Sequence, residues 1–180
     1  KPWLQRVRNE SLRCSRLVHE LLDFARPRPP AWREFDLAEL AREAFATAGA
    51  GRKQAYPLAL QTPQPKVRGD RDQFQQVLIN LFSNAMDAMP EGGPINAILK
   101  ALPQGWSLSI RDQGAGVPAR QRESIFRPFF TNKPGGTGLG LAISRNLVTG
   151  HGGSLRCVAV RGKGACFRVD WPASKGGKHG

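Results

Sequence analysis

Apolar positions along the chain fall into helical and strand periods separated by short glycine- and proline-rich breaks. From Asp70 to Met89, Phe74, Val77, Leu78, Leu81, Ala85, Ala88 and Met89 recur at steps of three and four, so this stretch forms a helix with one buried face. Asp70 followed by Gln73 has the spacing of a capping box at its start. Residues 1–26 carry Leu4, Val7, Ser11, Cys14, Val18, Leu21 and Ala25 on alternating steps of three and four, the seam of a bundle or coiled coil. Pro27, Pro29 and Pro30 end that helix. Asp36 and Glu39 open a further helix ahead of Leu37, Leu40, Ala41, Ala44 and Phe45.

The stretch from Gly49 to Lys66 reads as irregular, with room for one short strand at Leu58–Leu60. After the turn Pro90–Pro94, Ile95–Leu102 and Trp106–Asp112 form a β-hairpin. In its second strand Trp106, Leu108 and Ile110 alternate with Ser107, Ser109 and Arg111, one face buried and one polar. A last amphipathic helix covers Leu141–Thr149.

With 180 residues and 40% hydrophobic content, the chain can build one domain with a real core plus a helical appendage. No run is apolar enough to span a bilayer, and no signal peptide is visible. The chain starts at Lys1, so a fragment is expected, with any sensor or membrane segment upstream. Three cysteines, Cys14, Cys157 and Cys166, lack metal-site spacing and fit reduced thiols in a cytoplasmic setting. The formal charge of +13 raises nucleic acid as a partner. Its distribution argues against that: basic residues after position 113 are scattered singly among glycines, without a zinc module, basic zipper or RNA-binding aromatic motif. A field of this sign equally attracts a polyphosphate or an acidic protein.

Three constellations carry chemistry. Gln76, Asn80 and Asn84 lie four apart on one edge of the Asp70–Met89 helix. Asparagine costs roughly 0.6 kcal/mol against alanine inside a helix, so two in register mean either plain solvent exposure or amide oxygens that help to hold a magnesium ion whose other ligands are phosphates. Asp112 ends a strand just before Gln113-Gly114-Ala115-Gly116. A carboxylate there either caps a turn or accepts from the exocyclic amine of adenine while repelling the oxygen of guanine. The G-x-G-x-x-A at Gly114, Gly116 and Ala119 lacks the strand–helix–strand context of a dinucleotide fold. Finally, Phe126, Phe129 and Phe130 precede Thr131-Asn132-Lys133-Pro134 and then Gly135, Gly136, Gly138 and Gly140, which feed a helix. Backbone amides before a helix N-terminus favour a triphosphate. The absence of G-K-[ST] excludes a P-loop.

Together, and in this order, the asparagine helix, DQGAG, IFRPFFTNK and GGTGLGL resemble the N, G1, F and G2 boxes of the ATP-binding domain of two-component sensor histidine kinases. The likeness covers roughly residues 65–172, in a form similar to the nitrogen-regulation branch. RCSRLVHELLDFARPRP resembles the second helix of that family's dimerisation and phosphotransfer hairpin. The resemblance implies an α/β (α+β) fold, a two-layer sandwich of mixed sheet and helices (the Bergerat ATP-binding fold), preceded by one long N-terminal helix. It assigns residues 1–29 to the hairpin helix, 30–174 to the catalytic domain and 175–180 to a disordered tail. It further implies ATP and magnesium as cofactors, with Asn84 as the magnesium asparagine and Asn80 assisting. Asp112 would bind adenine beside Gly114 and Gly116. Phe126, Phe130, Thr131, Lys133, Gly136, Thr137, Gly138, Leu139 and Gly140 complete the implied nucleotide site. Partners implied are a cognate response regulator and a second copy of the chain through the N-terminal hairpin.

Two departures stand out. Many members have Lys or Arg three residues after the magnesium asparagine, where this chain has Asp87, a residue of the same nucleotide site, so that phosphate contact is missing or supplied elsewhere. The phosphoacceptor motif is also absent: His19-Glu20 lacks the proline five residues on, and His151 and His179 fall outside any such motif. The expected activity is therefore histidine kinase chemistry in its ATP-handling half, with the acceptor histidine upstream. The alternatives are a hydrolytic ATPase of the same superfamily, disfavoured because Asn80 stands where those enzymes have a glutamate base, and a non-catalytic nucleotide scaffold.

Overall fold

Among the described residues, two aspartates start the two longest helices by the same device. Asp36 accepts the amides of Ala38 and Glu39, and helix α1 runs over Leu37–Gly49; Asp70 accepts those of Asp72 and Gln73, and helix α2 runs over Arg71–Asp87. Each such cap contributes about 1 kcal/mol. In this computed structural model, residues 29–61, 66–133 and 136–172 are described, together with scattered positions between 3 and 18. Most of the expected N-terminal helix, His19, and the tail lie outside the described residues.

The strands are β1 (Arg33–Asp36), β2 (Leu58–Gln61), β3 (Lys66–Gly69), β4 (Ile95–Leu102), β5 (Gly105–Arg111), β6 (Ser154–Val158) and β7 (Cys166–Pro172). β2-β4-β5-β7-β6 make a mixed five-stranded sheet, parallel only between β2 and β4. β1 and β3 pair antiparallel apart from it. Alternation decides which face is covered: Ile95, Ala97 and Leu99, Leu108 and Ile110, and Phe167, Val169 and Trp171 are buried. Against them pack Leu40 and Ala44 of α1, Val77, Leu78 and Leu81 of α2, and Val148 of the third helix, α3 (Gly140–Gly150). The opposite face carries Lys100, Arg111, Arg168 and Asp170. The expected two-layer α/β sandwich is therefore what forms.

The irregular stretch before Lys66 contains the expected short strand at β2. β1 and β3 were not expected; each is four residues long with a single large apolar residue, Phe35 or Val67, too short to show a period.

The start of α2 is held by more than its cap. The Asp70 amide donates to Nε2 of His151 at 3.1 Å, Oδ2 of Asp70 accepts the amide of Ala31 at 2.9 Å, and Nδ1 of His151 donates to the Leu147 carbonyl at 2.9 Å. Trp32 and Phe74 lie edge-on to the same imidazole, and Phe74 stacks on Trp171 at 4.5 Å. This node fixes the beginning of α2 against the end of α3. The cleft opens between the same two helices further along.

Candidate functional site: a nucleotide cleft between two helices

A cavity of about 840 Å³ lies between α2, the end of β5 and the loop leading into α3. Its size suits a nucleoside triphosphate. The structure brings Asn80, Asn84, Asp87, Asp112, Gly116, Phe130, Thr131, Lys133, Gly136, Thr137, Gly138 and Gly140 to its wall. Three expected residues do not line it. Phe126 is buried in the core beneath the Arg145 guanidinium, 4.9 Å from its ring centre, and Leu139 is buried in the chain leading into α3. Gly114 packs its Cα against Ala88 at the end of α2, where a side chain would overlap the helix backbone.

At the inner end stands Asp112, only 2% exposed. The alternation of β5 carries it to the strand end, and Oδ1 accepts the amides of Gly114 at 2.9 Å and Ala165 at 3.0 Å. Two backbone donors on Oδ1 hold the carboxylate plane at the cavity wall and leave Oδ2 outside both bonds. The turn-capping reading of this residue is thus realised by Oδ1, and that capping does not use Oδ2. Such an approach of two loops requires Gly164, whose φ is +99° and whose missing side chain makes room for the Asp112 carbonyl. Sequence reasoning missed Gly164; the only signal was one glycine in the run Arg161-Gly162-Lys163-Gly164.

At the outer end, side chains form one chain of hydrogen bonds. Asn80 donates through Nδ2 to Oγ of Ser144 at 2.8 Å, and its Oδ1 accepts Nδ2 of Asn84 at 3.3 Å. Oδ1 of Asn84 accepts Nζ of Lys133 at 2.7 Å; the same ammonium donates to Oδ2 of Asp87 at 2.9 Å. Oδ1 of Asp87 accepts Nη2 of Arg52 at 2.7 Å, and Nε of Arg52 donates to the Ala48 carbonyl. Burial alone would raise the Asp87 carboxyl; the Lys133 and Arg52 hydrogen bonds outweigh it and hold the group below its ordinary value. Asn80 approaches α3 so closely that a side chain at Gly140 would overlap its amide. Ser144 and Arg52 are further residues the sequence did not single out, since a serine within a helix and an arginine in a loop carry no distinguishing pattern.

The donor set fits magnesium in one respect that the structure shows: the Asn84 oxygen already accepts a cation, the Lys133 ammonium. Two amide oxygens without a clustered set of carboxylates suit a hard ion that takes its remaining ligands from phosphate and water. The loop between is tightly set. Phe129 holds φ at +66° and is 65% exposed, and Gly138, at +70°, lies directly on its backbone.

This cleft, with a buried carboxylate at one end and paired amides at the other beneath a two-layer sandwich, defines a class of ATP-binding domain. The chain belongs to the histidine kinase-, DNA gyrase B- and HSP90-like ATPase family, whose pattern it matches over residues 69–175. Within that family it is a catalytic ATP-binding domain of the sensor histidine kinase type. It is 34% identical over 173 residues to the sensor histidine kinase ZraS of Escherichia coli O157:H7, covering 94% of this chain and 38% of ZraS. The chain therefore spans well under half of that curated relative. Among solved structures, full-length ShkA in complex with AMPPNP superposes with a TM-score of 0.82 at 26% identity, over 96% of this chain and 38% of that one. Histidine kinase ThkA in complex with the response regulator TrrA gives 0.79 at 30% identity, over 97% of this chain and 51% of ThkA. No helix among the described residues is long and apolar enough to cross a membrane.

Proposed function

We propose that this chain binds Mg-ATP in the cleft and presents its γ-phosphoryl group to a histidine outside the cleft, for relay to an aspartate of a response regulator. The observation that carries the reading is Asp112: a buried carboxylate on the wall of a cavity of nucleotide size, with Oδ1 held by two amides and Oδ2 in neither bond. Oδ2 accepts from the adenine amine. Asn84 holds magnesium through Oδ1, and Asn80, pinned by Ser144, fixes the Asn84 amide. When bound, the ion neutralises triphosphate charge. Lys133 and the amides from Gly136 to Gly140 meet the phosphates, so the protein's part is positioning and charge neutralisation.

Two features separate this role from ATP hydrolysis and from phosphorylation within the chain at His151. Asn80, whose amide is engaged at both ends, cannot take a proton from water, and no general base stands in its place. His151 has both ring nitrogens in hydrogen bonds and is 7% exposed, so it does not accept phosphate. The ThkA complex with TrrA supports a response regulator as the eventual recipient.

Calorimetry of ATP and of GTP with magnesium tests the site. Adenine-selective binding with negligible steady turnover is expected; equal affinity for the two nucleotides refutes the Asp112 assignment. Acid-labile phosphate appearing on His151 would refute the separation of acceptor and cleft.

A further inference from the structure

Asp87 is the odd charge in a cleft meant for a polyanion. A carboxylate beside a triphosphate repels it, yet this one is not free to turn away. Arg52 holds Oδ1 from the α1 side and is itself held by the Ala48 carbonyl, so Asp87 stands as a fixed post at the end of α2. Its second oxygen takes Lys133. Asn84 and Asp87, one helical turn apart, together grip the same ammonium from two sides. On the loop, Lys133 is braced by a turn in which its amide donates to Oγ1 of Thr131 at 3.1 Å and its carbonyl accepts the amide of Gly136 at 3.1 Å. The ammonium thus rests on the very amide oxygen assigned to the metal, and that oxygen cannot serve an ammonium and a divalent ion side by side without strong repulsion.

We propose that Asp87 is a positioning residue that ties Lys133, and with it the loop over the cleft, to Asn84, so that metal-bound nucleotide is favoured over metal-free nucleotide. This rests on the assignment of the cleft to a nucleotide. The geometry gives Asp87 two effects of the same sign. It keeps Lys133 from neutralising a bare triphosphate, and its own charge opposes one. Both effects weaken when the incoming triphosphate brings its own divalent charge, because Lys133 is then exchanged from Asn84 to phosphate while Asp87 stays paired with Arg52.

The test has two arms on the whole chain. Amide hydrogen exchange over residues 127–133, without nucleotide, is compared in the unmodified protein, Asp87→Asn, Lys133→Met and the double variant. Each single change is expected to speed exchange there about three- to tenfold, and the double variant no more than Lys133→Met alone, because that change already removes the ammonium that Asp87 holds. The second arm measures the ratio of AMPPNP dissociation constants in EDTA and in magnesium. Asp87→Asn is expected to lower that ratio at least fivefold. Unchanged exchange in both single variants, additive exchange in the double, or an unchanged ratio each overturns the proposal. The side chains of Lys133 and Asp87 are 44% and 36% exposed, so the substitutions open no core cavity. If the unmodified protein binds no adenine nucleotide in either buffer, the assignment of the cleft fails and the metal preference with it, whereas exchange still reads the Lys133 tie.

Discussion

Replacing Asp112 by Asn changes one atom of the side chain, and the structure dictates which way that atom must point. If the new amide oxygen takes the place of Oδ1, it still accepts the amides of Gly114 and Ala165, and the NH2 group faces the cleft. The reverse orientation sets NH2 against two backbone donors in a site that is 2% exposed, leaving buried groups unsatisfied at a cost of about 1–3 kcal/mol each. The first orientation therefore prevails, and the fold is kept. The consequence falls on the ligand: a donor now meets the adenine amine, and a charged hydrogen bond of about 1.5–3 kcal/mol is lost, which weakens ATP binding roughly 10- to 150-fold. The same NH2 group complements the oxygen of guanine, so GTP discrimination shrinks along with ATP affinity. Calorimetry of both nucleotides with magnesium, beside thermal melting of the two proteins, reads this directly. An Asp112→Asn variant that melts like the unmodified protein and binds ATP equally well would refute the role of Oδ2. A variant that no longer folds would refute the orientation argument instead.

Gly140→Ala places a methyl group against the Asn80 amide while adding helix propensity, so melting should change little and ATP affinity should fall, by roughly tenfold, in the same calorimeter. On the far face of the sheet, burial would raise the Asp170 carboxyl, but hydrogen bonds from Ser107, Arg168 and Arg156 pull it below its ordinary value of 3.8. A depressed carboxylate stabilises the fold above that value and loses the contribution as pH falls through its folded value; melting between pH 2 and 7 should therefore show a shallower acid limb in Asp170→Asn. Burial pushes the Cys157 thiol up to about 11, which leaves about 0.1% thiolate at pH 8. Iodoacetamide should therefore label Cys157 far more slowly than a free cysteine peptide, as mass spectrometry of the digested protein would record. Phe82→Ala empties a fully buried position of α2 that Phe45 packs against edge-on, and should cost about 3–5 kcal/mol in urea unfolding.

How far the order of residues alone discloses fold and site depends on whether a residue's role is local. The caps of α1 and α2, the hairpin β4–β5 and the asparagine row are all legible because periodicity and capping are set within a few residues. The two oxygens of Asp112 cannot be told apart in the sequence, because the second amide on Oδ1 comes from Ala165, 53 positions away, and reaches it only past Gly164. Gly114 shows the converse. Its place in the glycine turn suggests the base as its neighbour, whereas its contact is the end of α2. Asp87 is the sharper instance. In sequence it is a wrong-sign residue in a phosphate site, and only the approach of Arg52 from one element and Lys133 from another gives that sign a use. A helix supplies Asn84 and Asp87 at fixed spacing; what they grip is decided by a loop nearly fifty residues on. The asparagine row thus lies on a periodic element and can be read locally, while the contacts that hold the cleft's parts together are set across the fold.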